Sequence, residues 1–128
     1  MSKSILVVDD SPSMRQLIGV TLRAAGYTVI ETSDGQEALD YARKHAVDLV
    51  LSDVNMPHMD GITLVAHLRT LTNYYLVPLL LLTTEASPDR KLQGKQAGAT
   101  GWITKPCSPE QLLATLERVL ESGCLVRT

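Results

Sequence analysis

Five short apolar runs, near residues 4–8, 28–32, 48–52, 78–82 and 101–104, alternate with segments whose apolar residues recur at helical spacing. Strands separated by helices cannot pair as hairpins, so they are expected to lie parallel in one sheet with helices on both faces. Leu49-Val50-Leu51 and Leu79-Leu80-Leu81-Leu82 are apolar throughout, as central strands covered on both sides must be. Met14, Leu17, Ile18, Thr21, Leu22 and Ala25 form one helical stripe. Leu64, Val65, Leu68 and Leu71 form a second, and Leu112, Leu113, Leu116, Val119 and Leu120 a third. Ser11-Pro12, Ser87-Pro88 and Ser108-Pro109 each set an N-cap hydroxyl before a first-turn proline. Ser108 with Gln111, and Asp34 with Glu37, have capping-box spacing, and Gly26 and Gly98 stand where a left-handed C-cap wants glycine. The segment 89–96 differs, because only Leu92 and Ala97 offer it an apolar face. It is expected to be the least firmly packed helix and the easiest to shift.

A chain of 128 residues suits a single domain, here 1–128, with a core large enough to need no staple. The net charge of −2 is spread without a basic stripe, which argues against nucleic acid as a partner. The apolar runs are too short to cross a bilayer, and Met1-Ser2-Lys3-Ser4 leads into a strand-like run without a signal-peptide profile. Cys107 and Cys124 fit no metal spacing and read as inert, reduced thiols of a cytoplasmic protein. No linker, repeat or second domain for an output activity is expected.

The chemistry-bearing residues stand at the ends of the apolar runs. Asp9 and Asp10 follow the first, Asp53 the third, Thr83 the fourth and Lys105 the fifth. In an open parallel sheet all of them meet at the carboxyl edge, where such sheets bind ligands. A lone Asp at a strand end is usually a turn or cap, and a lone Thr or Lys is usually structural; the five together make a site for a divalent cation and a phosphoryl group. Three carboxylates repel one another, and a cation relieves that. An all-oxygen donor set without His or Cys favours Mg2+. Asp10 and Asp53 are assigned as direct ligands, Asp9 as a ligand through water, and the Asn55 backbone carbonyl as a further one. Asp53, central in the cluster, is the carboxylate expected to attack phosphorus and form an acyl phosphate. Lys105 would supply a point charge and Thr83 a hydrogen bond to the transferring group.

These residues resemble a known pattern. Val7-Val8-Asp9-Asp10, Asp53-Val54-Asn55-Met56-Pro57-His58-Met59-Asp60-Gly61, Leu82-Thr83-Thr84 and Thr104-Lys105-Pro106 occur in order, and their spacing is similar to that of receiver domains of two-component response regulators. Ser11-Pro12-Ser13-Met14-Arg15 after the acidic pair, Thr83-Thr84-Glu85, and Ala97-Gly98-Ala99-Thr100-Gly101-Trp102 resemble the single-domain chemotaxis (CheY-like) type. The resemblance implies a doubly wound, flavodoxin-like sheet of order 2-1-3-4-5, and a monomer that takes a phosphoryl group from a histidine kinase onto Asp53. It implies that Thr83 then moves inward, that Trp102 turns into the space left, and that the surface of the fourth helix, fifth strand and fifth helix binds a target. It assigns Thr83, Trp102 and Lys105 to the switch, and Asn55 and Glu85 to tuning of self-dephosphorylation. It also implies a cis peptide at Lys105-Pro106. Two departures stand out: Trp102 replaces the usual Tyr or Phe, and Cys107 replaces a usual Phe, so the space at Cys107 is expected to be smaller or filled by a neighbour.

The implied targets are a flagellar motor switch protein, through Lys91, Lys95, Trp102 and the fifth helix, or a phosphatase. The alternative is a phosphate sink or adaptor that does not act on the motor. A more remote alternative is a phosphohydrolase of the haloacid dehalogenase type, which also uses an Asp nucleophile. That class places a second Asp two residues later, where this chain has Asn55, a side chain that cannot transfer protons. A flavodoxin-like cofactor binder would need a phosphate-cradling loop where Asp9-Asp10 stands. The chain is thus expected to be a phosphoacceptor signalling protein, and no enzyme beyond its own phosphoryl transfer and loss.

Overall fold

Residues that alternate along a strand point to opposite faces, and here both faces are covered by helices. The computed structural model describes residues 3–84, 87–105 and 107–122. Its strands are β1 (Ser4–Val8), β2 (Thr28–Thr32), β3 (Leu49–Asp53), β4 (Leu79–Thr83) and β5 (Gly101–Thr104). They alternate with α1 (Pro12–Ala24), α2 (Gly35–Lys44), α3 (Gly61–Leu68), α4 (Pro88–Ala97) and α5 (Pro109–Ser122), and a 3-10 turn lies at Thr72–Tyr74. All pairings are parallel, as the alternation of strands and helices requires, and the sheet order is β2-β1-β3-β4-β5, as the resemblance implies. Leu6, Val8, Val50, Leu79 and Leu81 face one core with α2 and α3, against which Trp102 and Ala97 pack. Ile5, Val7, Leu49, Leu51, Leu80 and Leu82 face a second core with α1 and α5. The chain reverses its direction of winding between β1 and β3, and that switch opens the crevice in which the site lies.

The helix ends follow the sequence closely. Ser11, Ser87 and Asp34 accept from the amides of Met14, Arg90 and Glu37. Ser108 and Gln111 exchange both bonds of a capping box, at 3.1 Å each. At α2 the reciprocal bond is displaced by one residue: Glu37 accepts from the amide and hydroxyl of Ser33, not from Asp34. Gly26 and Gly98 take positive φ of 98° and 112°, which a side chain would resist.

Three expectations need correction. Leu17 and Ala25 do not face the core, because α1 lies on the sheet along the narrower line of Ile18, Gly19 and Leu22; Leu17 is 58% exposed. Leu71 lies beyond the end of α3 but still packs on the core. Leu92 is not the core-facing residue of α4: it is 54% exposed, and Gly94 is the buried one. A Cβ at Gly94 would stand 2.5 Å from Cζ2 of Trp102, so the indole occupies the place on α4 where an apolar side chain would otherwise sit.

Candidate functional site

The site is built where β1, β3, β4 and β5 end. Asp53 is the last residue of β3 and is 7% exposed; Asp9 follows β1 and is 1% exposed; Asp10, next in the chain, is exposed. Their carboxylates bring one oxygen each to within 4.8 Å of one another. Lys105 follows β5, and its amide donates to the Thr83 carbonyl at 2.7 Å, which ties its backbone to the end of β4. From there its Nζ reaches Asp53 Oδ1 at 3.1 Å and Asp9 Oδ2 at 3.9 Å. Thr83, the last residue of β4, is 1% exposed and pairs in register with Thr104. The structure therefore brings together Asp9, Asp10, Asp53 and Lys105, with Thr83 at the adjoining strand end. Asn55 is exposed in the following loop, and Trp102, on β5, is half-buried against Gly94 of α4. Glu85, the Lys105-Pro106 peptide, and the tail with Cys124 lie outside the described residues.

The loop after Asp53 is held close by Gly61. Its amide donates to the Val54 carbonyl at 2.9 Å, and a Cβ there would collide with the Asp53 carbonyl. The turn after β1 is held differently. The Asp9 amide donates to the Thr32 carbonyl at 3.2 Å, Asp9 Oδ1 accepts from the Ser11 amide at 2.9 Å, and the Asp9 carbonyl accepts from Arg15 Nη1 at 2.7 Å. Ser52, buried beside Asp53, donates its hydroxyl to the Asp53 carbonyl at 2.9 Å. Sequence reasoning gave no role to Arg15, Ser52 or Gly61. For Arg15 a signal was available: it lies one turn into α1, and helical side chains lean toward the N-terminus, over the acidic pair.

The donor set suits a hard divalent cation. Asp9 Oδ2 is buried and has no hydrogen-bond partner among the described residues; Lys105 Nζ faces it at 3.9 Å, too far for a hydrogen bond, which leaves the oxygen open to a metal cation. The Asp9 carboxyl is held above the usual carboxylate range, chiefly by burial. The charges of Asp53 and Asp10 add to this, while the Ser11 amide and Lys105 oppose it. All candidate ligands are oxygens, as Mg2+ prefers.

Beside Lys105, between α1 and α5, an apolar cavity of about 390 Å3 is lined by Met14, Leu17, Ile18, Leu82, Cys107 and Leu112. The space at Cys107 is thus neither small nor filled by a neighbour. A thiol is too short to reach across it, and Leu17, 58% exposed, borders it without closing it. Burial pushes the Cys107 thiol up, against the opposing charge of Lys105, which disfavours the reactive thiolate.

A sequence profile described as the response regulator receiver domain matches residues 5–117. The chain belongs to this family. The Vibrio cholerae chemotaxis protein CheY4 shares 50% identity with it, with a TM-score of 0.90 over 93% of this chain and 99% of that one. A chemotaxis protein CheY homolog of Campylobacter jejuni is 38% identical over 93% of both chains. The receiver domain of a Pseudomonas aeruginosa sensor histidine kinase is 30% identical, with a TM-score of 0.88, over 95% of this chain and 100% of that one. It has a magnesium ion coordinated in its active-site cleft. The chain spans about half the length of several other curated relatives it matches, transcriptional regulatory proteins among them. It is a receiver domain of the two-component type, with a CheY-like fold. No helix among the described residues is long and apolar enough to cross a membrane.

Proposed function

We propose that residues 1–128 act as one receiver domain of a cytoplasmic chemotaxis regulator, in which Asp53 takes a phosphoryl group from the phosphohistidine of a kinase. The observation that carries this is the contact of Lys105 Nζ with Asp53 Oδ1 at 3.1 Å, inside a cluster of three carboxylates. In the transfer, an Asp53 carboxylate oxygen bonds to phosphorus, and the phosphorus–nitrogen bond to the donor imidazole breaks. Asp9, Asp10, Asp53 and the Asn55 carbonyl would hold Mg2+, which when bound neutralises the acidic cluster and the phosphoryl oxygens. Lys105 releases Asp53 Oδ1 and pairs with a phosphoryl oxygen, and the Thr83 hydroxyl moves to donate to another. Asn55 and Glu85 tune self-dephosphorylation and so set the lifetime of the phosphorylated state.

The movement of Thr83 is read out by Trp102, across the β4–β5 pairing, and by α4. Lys91 and Lys95 line a cavity of about 460 Å3 with Gly98, Thr100 and Trp102, a surface that suits an acidic segment carrying an apolar anchor. A flagellar motor switch protein is the proposed target, supported by the 50% identity to CheY4 and by coverage of nearly the whole CheY homolog. A phosphatase would use the same face, and the monomer suffices for both.

Intact-mass measurement after incubation with acetyl phosphate and Mg2+ tests the chemistry. One added phosphoryl group in the wild type and none in Asp53→Asn is expected; addition to both would overturn the assignment of Asp53. Tighter binding of the phosphorylated form to a motor switch protein is expected next, and equal binding by both forms would leave the sink or adaptor reading in its place.

A further inference from the structure

Gly19 lies buried in the middle of α1, where glycine weakens a helix. The space it leaves is used. A Cβ there would stand 2.7 Å from Glu31 Oε2 and 3.0 Å from Arg23 Nη1. Glu31 thus reaches from β2 across α1, with Oε2 2.9 Å from Arg23 Nη1 and Oε1 3.7 Å from Arg15 Nε. Arg15 turns its other end to the β1–α1 turn, where Nη1 donates to the Asp9 carbonyl at 2.7 Å. On the other side of Asp9, its amide donates to Thr32, the neighbour of Glu31 on β2. Both peptides of Asp9 are therefore anchored to β2, one directly and one through Arg15 and Glu31. The Asp9 carbonyl shares a rigid plane with the amide of Asp10, so fixing that oxygen also fixes the start of the exposed Asp10.

We infer that Arg15, held by Glu31 over Gly19, is a positioning residue that presets the carboxylates of Asp9 and Asp10 for a divalent cation. This rests on the Mg2+ site proposed above. Outer partners that hold ligands in place typically govern metal affinity by about 10–100-fold.

Charge and positioning make opposite predictions, which gives a clean test. Arg15 is a cation near the acidic cluster, so by charge alone its removal would tighten Mg2+ binding. By positioning, its removal loosens it. Calorimetric titration of the full chain with MgCl2 compares the wild type with Arg15→Gln, Glu31→Gln, Arg15→Lys and Arg43→Gln. Arg15→Gln is expected to bind about tenfold more weakly. Glu31→Gln keeps Arg15 but slackens its hold and falls in between. Arg43→Gln makes the same charge change as Arg15→Gln on α2, where Arg43 pairs only with the exposed Asp40 among the described residues, and stays close to the wild type. Arg15→Lys keeps one donor for the Asp9 carbonyl and recovers part of the loss. Metal-free melting curves show whether each variant is folded, and Arg15→Lys, which changes the geometry of the contact but not the charge, carries the test by a weaker binding than the wild type should Arg15→Gln not fold. Binding by Arg15→Gln and Glu31→Gln as tight as the wild type, or tighter, would overturn the inference alone. A wild type that takes no Mg2+ would overturn the metal site and this inference with it.

Discussion

Lys105 bridges two acids with one compact charge. Its Nζ is 3.1 Å from Asp53 and 3.9 Å from Asp9, close enough for an ammonium on a flexible stem to move from carboxylate to phosphoryl oxygen. A guanidinium is planar and forked, and settles bidentately on one partner. Lys105→Arg is therefore expected to keep phosphoryl uptake from acetyl phosphate while weakening phosphorylation-dependent target binding by about tenfold, or 1.4 kcal/mol. Undiminished binding would show that Lys105 has no part in the switch. Tyr74 gives a separate prediction at the opposite end of the sheet. It is fully buried, its hydroxyl donates to the His45 carbonyl at 2.7 Å, and burial, with Tyr41 adding, pushes the phenol up to about 12. Because the folded value lies above the unfolded one of about 10, the unfolded chain loses its proton first. The contribution is complete below about pH 10 and disappears as pH rises toward about 12. Urea denaturation between pH 8 and pH 11 is expected to show a falling alkaline limb that flattens in Tyr74→Phe, which also loses about 1 kcal/mol at neutral pH with its hydrogen bond.

At the scale of elements, α4 is held by one contact that a sequence pattern does not reveal. Its segment 89–96 has few apolar residues, and a glycine inside it reads as weakness. In the fold that glycine is the seat of the Trp102 indole, with Leu81 beside it. Gly94→Ala would raise helix propensity by about 1 kcal/mol, but it drives a methyl into a rigid ring, and overpacking of this kind typically costs about 1–3 kcal/mol. The expected result is no gain in melting temperature and a red shift of Trp102 fluorescence as the indole turns toward water. A gain in stability with unchanged emission would show that the contact is slack. The far end of α4 is anchored by Arg69, whose guanidinium donates to the carbonyls of Gly98, Tyr74 and Val77 at 2.7–2.9 Å. Element type and order were legible in the sequence because caps and apolar runs act locally. The fork of Arg69, the seat at Gly94 and the exposure of Leu17 were not, because each depends on what another element brings across.

For the molecule as a whole, the site and the stability of the fold draw on the same residues. The carboxyl ends of β1 and β3 gather Asp9, Asp10 and Asp53, and their positions followed from strand ends alone. What the sequence did not carry was the burial of each: Asp9 is the deepest, and its Oδ2 has no hydrogen-bond partner among the described residues. A buried carboxylate raised above its usual range by burial and by two like charges is a cost that the metal-free fold bears. Asp9→Asn removes that charge while keeping an oxygen for the Ser11 amide, so metal-free Asp9→Asn is expected to be more stable than the metal-free wild type by about 1 kcal/mol. Mg2+ reverses the order. A ligand at a hundred times its dissociation constant stabilises the folded state by about 2.7 kcal/mol, and only the wild type keeps the full donor set. Melting temperatures measured against MgCl2 concentration are thus expected to start higher for Asp9→Asn and to cross as the wild type rises. Parallel curves would show that Asp9 contributes nothing to the cation site. A wild type more stable than Asp9→Asn without metal would show that Lys105 and Ser11 already offset the buried charge, leaving the cation no repulsion to relieve.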